Sequence, residues 1–229
     1  MNRDKSQNTK ALNTLVRCGA IAYFAMPICY IGMFLIFGIL LSIPHASDIS
    51  DKIAYIASQQ NLLSLAYVLG YLIFGGLLLV AVQATHAYLI KSSSHMLNLA
   101  SAFGLIWVVL MMCSGMLALV GMNTMIELFS QGNPHSETLF YIQTTVVNGL
   151  GGGIELVGGL WVLFLSVFAL RTNQLSKGVN FFGCLVGMLG IGTLYLSLPS
   201  LKEAFGLCQI IWFILMGIAM FRHKNEIKL

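Results

Sequence analysis

The chain has 229 residues, of which 58% are hydrophobic and only 9% are charged. Soluble domains contain about 25% charged and about 45–50% apolar residues, so this composition excludes an ordinary soluble fold. The formal net charge is +4, and the mean hydropathy is +0.85. The apolar residues stand in long unbroken runs, which excludes the short alternating segments of a transmembrane β-barrel. The composition therefore predicts an all-α protein that crosses a membrane several times.

Six apolar stretches follow one another along the chain, separated by short polar segments. Each is at least as long as the stretch of about 20 residues that a membrane-spanning helix needs. The predicted spans are 18–42, 62–90, 98–128, 138–170, 178–198 and 202–222. The first exceeds the apolar region of a signal peptide, about 7–15 residues, and no cleavage pattern follows it, so we expect it to stay in the protein. We expect residues 1–229 to form a single polytopic bundle of six transmembrane helices.

The positions of Lys and Arg predict the orientation, because cytoplasmic loops are enriched in these residues. With six spans, both tails and the connections after spans two and four lie on the same side of the membrane. That side holds most of the basic residues: Arg3, Lys5, Lys10, Arg17, Lys91, Arg171, Lys177, Arg222, Lys224 and Lys228. The other side holds Lys52 and Lys202. We therefore expect both termini in the cytoplasm, and we interpret the net charge as a topology signal and not as a sign of a nucleic-acid partner.

A short helix is predicted on the outer side, between the first two spans. Ser47 and Asp48 are typical of a helix N-cap, and Ile49, Ile53 and Ile56 follow on one face. This pattern indicates an amphipathic helix on the outer surface or an outward extension of span two.

Most charged residues lie in a tail, a loop or a span end. Glu155 does not, and so its position needs another explanation. It lies inside span four, in a glycine-rich run over 148–159. A carboxylate deep in a membrane is expensive, so such residues usually face protein or water and often mark function. Asn148 falls on the same helix face as Glu155. The glycines permit close helix approach, through pairs such as Gly149 and Gly153, or local unwinding around a ligand.

Other polar residues are predicted at the same depth as Glu155. At 1.5 Å per residue, Glu155 lies about 24 Å from Arg171 at the inner end of its span. The same count from the inner ends of other spans places Gln209, Tyr195 and Ser114 in this layer. The predicted ligand or proton site therefore consists of Glu155, Asn148, Gln209, Tyr195 and Ser114.

Glu155 has two interpretations at this stage. In the first, it carries a proton or binds a cation in a cavity that opens to the outside. In the second, it is a protonated or hydrogen-bonded structural link to Gln209, Ser114 or Asn148. The glycine-rich setting fits both.

The sequence shows no signature of a cofactor, a metal or a catalytic group. The five histidines lie at or beyond the span ends, so no pair of them is placed to ligate a haem within the membrane. The five cysteines lie within apolar runs and form no CxxC motif, which favours buried thiols. We expect no catalytic residue, no metal and no cofactor.

A pattern of glycines and aromatic residues runs through the second half of the chain. Lys177 and Gly178 open a glycine-rich span, Pro199 separates the last two spans, and the end has the form Ile211-Trp212-Phe213-x-x-x-Gly217-x-x-x-x-Arg222. The other glycines of the pattern are Gly183, Gly187, Gly190, Gly192 and Gly206. In these features the chain resembles the bacterial family of six-span membrane proteins catalogued as domain of unknown function 4386. The resemblance implies a six-span fold in the bacterial inner membrane, with no established activity and no functional residues to carry over.

Three classes of function fit a protein surrounded by a lipid bilayer in this way. We favour binding or transport of a small molecule or ion around Glu155, because Glu155 lies among glycines and two outer segments, the short helix after Ser47 and the turn over 131–137, are placed to gate it. An alternative is an intramembrane enzyme on a lipophilic substrate, with Glu155 as general acid or base and Tyr195 or Gln209 orienting it. The absence of paired carboxylates disfavours the enzyme. The last alternative is an accessory protein whose small-residue faces bind another membrane protein or a second copy, which an unbroken, fully packed span four would favour.

Overall fold

The structure, a computed structural model, describes residues 2–41, 48–90 and 94–226. The regular structure in these ranges is helical throughout, as predicted. The helices are α1 (Asn2–Leu35), α2 (Ile49–Ser58), α3 (Gln60–Tyr67), α4 (Phe74–Leu89), α5 (His95–Ser130), α6 (His135–Val147), α7 (Leu156–Arg171), α8 (Lys177–Gly192) and α9 (Ser200–Glu226). Wider π-helical turns extend or join them at Ile36–Leu40, Val68–Ile73 and Asn148–Gly152.

Within the described ranges, five helical stretches are long and apolar enough to cross a membrane. They are Lys10–Leu40, Gln60–Leu89, His95–Ser130, His135–Arg171 and Ser200–Arg222. The remaining apolar helix, α8, has 16 residues, or about 24 Å at 1.5 Å per residue. These helices make the chain a multi-pass membrane protein.

Two predicted spans differ from the observed helices. Span four, predicted over 138–170, consists of two helices, because the glycine run between α6 and α7 interrupts it. Span five, predicted over 178–198, is helical only as far as Gly192. Hydrogen-bonded turns follow it as far as Pro199.

The predicted outer helix is α2, and it packs against other helices. Its N-cap is Asp48, whose side chain accepts a hydrogen bond of 3.0 Å from the backbone N–H of Ser50. Ser47, the other residue of the predicted cap, lies outside the described residues. A break at Gln59 separates α2 from α3. Ile53, on the apolar face of α2, is fully buried, so this face is covered by protein.

The helices group into two compact units. Unit 1 consists of the described parts of Met1–Ile28, Gly76–Val108 and Glu155–Leu229. Unit 2 consists of the described parts of Cys29–Gly75 and Val109–Ile154. The chain passes from unit 2 to unit 1 for the last time between Ile154 and Glu155. The single domain expected over 1–229 stays a prediction.

Unit 1 has an aromatic core that contains every tryptophan of the chain. Trp107 and Trp161 have ring centroids 5.8 Å apart, and Trp161 and Trp212 meet edge to face at 5.6 Å. Tyr23 packs on the other side of Trp212, at 6.0 Å. All four side chains are almost completely buried. Such aromatic pairs contribute about 0.5–1.5 kcal/mol each beyond the burial of their area.

Unit 2 has a separate aliphatic core around α2. The fully buried Ile53 packs with residues from the other segments of the unit, namely Ile36, Leu41, Leu63, Ala66, Met122 and Met125. Side-chain hydrogen bonds tie the same segments together. The Ser50 hydroxyl donates to the Glu137 carboxylate at 3.2 Å, and the Gln60 amide donates to the Asn123 amide oxygen at 3.3 Å.

Candidate functional site

The glycine run in span four produces a break in the helix. After α6 the chain forms the π-helical turn Asn148–Gly152, in which Gly151 has φ 152° and ψ 2°. This backbone conformation strains any residue with a Cβ, so a glycine is required there. Residues 153–155 are not helical, and α7 begins at Leu156. Of the two local structures that the glycines permit, the chain adopts the unwound one.

Glu155 stands at the N-cap position of α7, where the break ends. Its backbone N–H donates a hydrogen bond of 2.8 Å to the hydroxyl of Thr193. That hydroxyl donates in turn to the Gly190 carbonyl, at 2.6 Å. The Glu155 carbonyl accepts the N–H of Gly159 at 2.9 Å, which closes the first turn of α7. The backbone of Glu155 is therefore fixed between the start of α7 and the end of α8.

The side chain of Glu155 is buried without a full set of partners. The residue is 7% exposed, and its Oε2 atom has no hydrogen-bond partner among the described residues. A carboxylate at a helix N-terminus is stabilised by the helix dipole, by about 0.3–1 kcal/mol at an exposed site. The ammonium of Lys202, in the first turn of α9, also acts on it electrostatically. Both effects favour negative charge at this position, whereas the burial of the carboxyl group, the larger effect, opposes it.

Glycines bring the backbones of α7 and α8 into direct contact below Glu155. A Cβ on Gly190 would lie 2.6 Å from the Cα of Gly159, and a Cβ on Gly187 would lie 2.8 Å from the Gly159 carbonyl oxygen. No side chain fits in this contact. Phe205 of α9 reaches the same place, since the Cβ of an alanine at 190 would lie 2.9 Å from its ring. The three helices of unit 1 that follow the break thus meet in a glycine–aromatic layer (Gly159, Gly190 and Phe205).

A second layer lies seven positions away from the first in each of these helices, later in the chain in α7 and α9 and earlier in α8. It consists of Ser166 of α7, Gly183 of α8 and Trp212 of α9. A Cβ on Gly183 would collide with the Ser166 hydroxyl and would lie 2.6 Å from the indole nitrogen of Trp212. Seven residues correspond to about 10.5 Å of helix, so the register of the three helices repeats at that distance. Neither the Ser166 hydroxyl nor the Trp212 indole N–H has a hydrogen-bond partner in the described part of the chain.

Gln209 lies between the two layers, on the buried face of α9. Its side chain is completely buried, and neither its amide oxygen nor its amide nitrogen has a hydrogen-bond partner among residues 2–41, 48–90 and 94–226. A buried polar group left unpaired costs about 1–3 kcal/mol, so an amide in this environment is expensive. Such groups are ordinarily paired with an ordered water or a ligand.

Of the five residues of the predicted site, three belong to unit 1 and two to unit 2. Glu155 and Gln209 are both buried in unit 1, in neighbouring helices. Tyr195 also belongs to unit 1, but it lies in the turns after α8 and is 62% exposed. Ser114 and Asn148 belong to unit 2. Ser114 is buried and its hydroxyl has no described partner, whereas the side chain of Asn148 is exposed.

Sequence reasoning did not assign a role to Lys202, Ser166 or Trp212. Lys202 carried a signal, because it is one of two basic residues on the predicted outer side and depth counting places it near Glu155. Ser166 and Trp212 carried none, since a serine and a tryptophan within apolar spans are ordinary packing residues. Only the register of α7, α8 and α9 brings them together.

The described residues contain no group of three or more His, Cys, Asp and Glu side chains that is placed to hold a metal ion. Comparisons with family models, with curated proteins and with solved structures find no match to the chain. The fold therefore defines the class, a multi-pass helical membrane protein. The arrangement around Glu155 is the chemical feature from which a function is inferred.

Proposed function

We propose that the protein is a six-span transporter of the bacterial inner membrane that binds a cation at Glu155 and moves it across the bilayer. The cation is a proton, a monovalent metal ion or a small positively charged molecule. The observation that carries the proposal is the buried, incompletely paired carboxylate at the break in span four. Membership of the family that the chain resembles, with both termini cytoplasmic, is part of this proposal.

A broken helix supports transport for a physical reason. Non-helical backbone at membrane depth is tolerated where it is buried in protein or lines a cavity. Many secondary transporters place their substrate and ion sites at such discontinuous helices, where the ends of the half-helices face the ligand. The break at Gly151 makes span four discontinuous in this way, and Glu155 lies at the start of its second half. An unbroken, fully packed span four would have favoured the accessory role, so the break counts against that alternative.

The carboxylate of Glu155 is the feature that supports a cationic ligand. An isolated carboxylate in an apolar environment needs a counter-charge or a proton. We propose that Lys202 supplies part of that charge when the site is empty, and that the transported cation replaces it. Because Lys202 is exposed at the start of α9, it can withdraw toward water at little cost.

The proposal is tested with purified protein in proteoliposomes on a solid-supported membrane. Jumps in the concentration of H⁺, Na⁺, K⁺ or methylammonium are applied, and the transient currents are recorded. We expect at least one cation to produce a current that Glu155→Gln abolishes. The matched control is Glu203→Gln, the same change at an exposed carboxylate of α9, which should leave the current unchanged. The proposal is overturned by the absence of current with all four cations, or by a full current in Glu155→Gln.

Native mass spectrometry of the gently purified protein separates the alternative functions. A small bound molecule that is lost in Glu155→Gln supports the proposed site. A protein partner or second copy bound in fixed stoichiometry indicates an accessory role. A chemically altered lipid that copurifies with the protein indicates an intramembrane enzyme.

The six-span topology is tested with reporter fusions. A fluorescent protein that folds only in the cytoplasm is fused to each terminus in turn. We expect fluorescence from both fusions. A dark fusion at one end only would show an odd number of spans, with α8 not crossing the membrane.

A further inference from the structure

Segment 194–199, between α8 and α9, presents an apolar surface. Its sequence is Leu-Tyr-Leu-Ser-Leu-Pro, and its tyrosine and three leucines are each 50–69% exposed. Turns ordinarily consist of Gly, Pro, Asn, Asp and Ser, which supply the required backbone conformations and hydrogen bonds. No charged residue occurs between Lys177 and Lys202. The chain therefore turns from α8 into α9 through a segment that is suited to contact with lipid.

In the proposed six-span topology, this segment lies at the boundary of the hydrocarbon core. Thr193, which precedes it, is about 24 Å from Lys177 along α8, at 1.5 Å per residue. Lys202, which follows it, is about 30 Å from Arg222 along α9. The hydrocarbon core is about 30 Å thick, and tyrosine is enriched at its boundaries with water. The segment is therefore placed at the boundary away from Lys177 and Arg222, where its leucines meet acyl chains.

The two residues that flank the segment both interact with Glu155. The Thr193 hydroxyl accepts the backbone N–H of Glu155 at 2.8 Å, and the Lys202 ammonium acts electrostatically on its carboxyl group. Lys202 is itself exposed, so Glu155 lies near the surface of unit 1 on the side of the segment. The Glu155 Oε2 atom is buried and has no hydrogen-bond partner among the described residues. An unused acceptor thus stands beside an apolar surface.

Lys202 indicates the chemistry of a ligand that fits this position. Its side chain is an ammonium group on a flexible stem of four carbons. Such a stem lies along apolar surface while the charged end reaches polar groups. A free alkylammonium ion has the same structure, and its N–H groups donate to a carboxylate. Glu155 Oε2 is the acceptor that such a donor would satisfy.

The same surroundings disfavour a metal ion. Hard metal cations take several oxygen ligands, and the part of the chain that the structure describes has no group of three His, Cys, Asp and Glu side chains placed to hold one. The Thr193 hydroxyl already donates to the Gly190 carbonyl at 2.6 Å. The carbonyls of Ile191 and Gly192 accept N–H groups from the segment. A proton, in turn, would need the carboxyl group alone and would leave the apolar segment without a role.

We infer that the cation of the proposed site is an alkylammonium ion that reaches Glu155 from the lipid, beside segment 194–199. Its ammonium group displaces Lys202 and donates a hydrogen bond to Glu155 Oε2, while its hydrocarbon chain stays among the acyl chains. This inference rests on the proposed function and names the substrate class and the route of entry. Lys202 then acts as a tethered competitor of the ligand.

The route is tested by chemical labelling of Glu155 in proteoliposomes. Dicyclohexylcarbodiimide, which dissolves in lipid, and a water-soluble carbodiimide both modify carboxyl groups, and peptide mass spectrometry locates the product. We expect Glu155 to react with the lipid-soluble reagent and to resist the water-soluble one. Glu203, exposed in the first turn of α9, is the internal control and should react with the water-soluble reagent. Labelling of Glu155 only by the water-soluble reagent, or by neither reagent, overturns entry from the lipid.

The ligand class is tested by protection of Glu155 against this labelling. Methyl-, propyl- and hexylammonium are compared by their free concentrations in water, with uptake by protein-free liposomes measured separately. The half-protecting concentration should fall about fourfold for each added methylene group, because the chain of the bound ion stays in hydrocarbon. A half-protecting concentration that is independent of chain length, or an absence of protection, overturns the inference.

Removing the tethered competitor should strengthen protection. Lys202→Met keeps an apolar stem without the charge, and we expect the half-protecting concentration of hexylammonium to fall about threefold or more, because a larger fraction of the sites is open to the ligand. Lys177→Met, the same change at an exposed lysine of α8, is the control and should leave it unchanged. Unchanged or weaker protection in Lys202→Met overturns the displacement of Lys202. Should this variant fail to fold, Lys202→Gln serves in its place with the same expectations.

The two proposals fail in different ways. A current of H⁺, Na⁺ or K⁺ that depends on Glu155, without protection of Glu155 by any alkylammonium ion, overturns this inference and leaves transport at Glu155 in place. Protection that follows chain length, without a current of any cation, overturns transport and leaves the alkylammonium site. A protein that shows neither current nor protection overturns both.

Discussion

The backbone N–H of Glu155 donates a hydrogen bond of 2.8 Å to the Thr193 hydroxyl, 38 positions further along the chain. This bond fixes the first residue after the break in span four to the last turn of α8. It supplies an N-terminal N–H of α7 with the acceptor that a helix usually obtains from its own capping side chain. The position of the carboxylate therefore depends on a residue of another helix.

Replacing Thr193 by valine should destabilise the protein by about 1–3 kcal/mol, because it leaves the buried N–H of Glu155 without an acceptor. Unfolding in mixed micelles of increasing denaturing detergent measures this change. The control is Thr124→Val, since the Thr124 hydroxyl is exposed and donates only to the Val120 carbonyl within its own helix. Equal stability of the two variants would show that the Glu155–Thr193 bond contributes little.

Replacing Gly190 by alanine should separate α7 from α8. The new Cβ would lie 2.6 Å from the Cα of Gly159, and backbone atoms cannot move aside as a flexible side chain can. We expect a loss of about 1–3 kcal/mol or more from overpacking, measured by thermal unfolding. Gly178→Ala is the control, because it meets no atom within 4 Å and should be neutral or slightly stabilising. A Gly190→Ala protein as stable as the control would contradict the backbone contact.

Replacing Gly151 by alanine should disturb the break itself. A residue with a Cβ at this φ costs about 1–3 kcal/mol, so the segment relaxes toward a different backbone path and displaces Glu155. We expect the Glu155-dependent current in proteoliposomes to fall. Gly149→Ala lies in the same π-helical turn, with φ not positive and open space around it, and should retain the current. Equal currents in the two variants would show that the strained glycine is not needed for transport.

Replacing Ile53 by alanine should destabilise unit 2 by about 2–5 kcal/mol, the cost of a cavity in a packed core. Protection of backbone amides in α2 and α3 against hydrogen exchange measures this loss locally. The control, Ile142→Ala, changes a residue of the same unit that is 55% exposed. A small effect at Ile53 would instead fit the alternative in which α2 lies on an outer surface.

The helical architecture was predictable because long apolar runs in a chain with so few charges have one stable form in a bilayer. The inner details of those helices were not. Nothing in the sequence distinguishes a glycine run that packs closely from one that unwinds. A Cβ on Gly149 would meet no atom within 4 Å, and the nearest atoms to one on Gly153 belong to Asn148. Gly192 and Pro199 are consistent with the early end of α8, but their positions alone did not predict it.

The candidate site was predictable at its centre and unpredictable around it. Glu155 stood out as a charge that no loop explained, and Gln209, which depth counting selected with it, belongs to the same unit. The same counting also selected Tyr195, which is largely exposed, whereas the grouping of Ser114 with Glu155 stays a prediction. Depth along a helix axis carries no information on which face a residue occupies or which helices are neighbours. The alignment of Ser166 with Trp212 depends on which helices are neighbours, and a depth count does not give this.

The distribution of tryptophan between the units gives the protein an intrinsic optical label. Trp107, Trp161 and Trp212 all belong to unit 1, and unit 2 has none. Indole emission therefore reports the environment of unit 1 alone, and because the three rings are in contact, it is sensitive to small changes in their separation. Hydrogen exchange of the backbone amides in Cys29–Gly75 and Val109–Ile154 follows unit 2 without that signal. The loss of structure in each half of the chain can thus be resolved in time without attaching a dye.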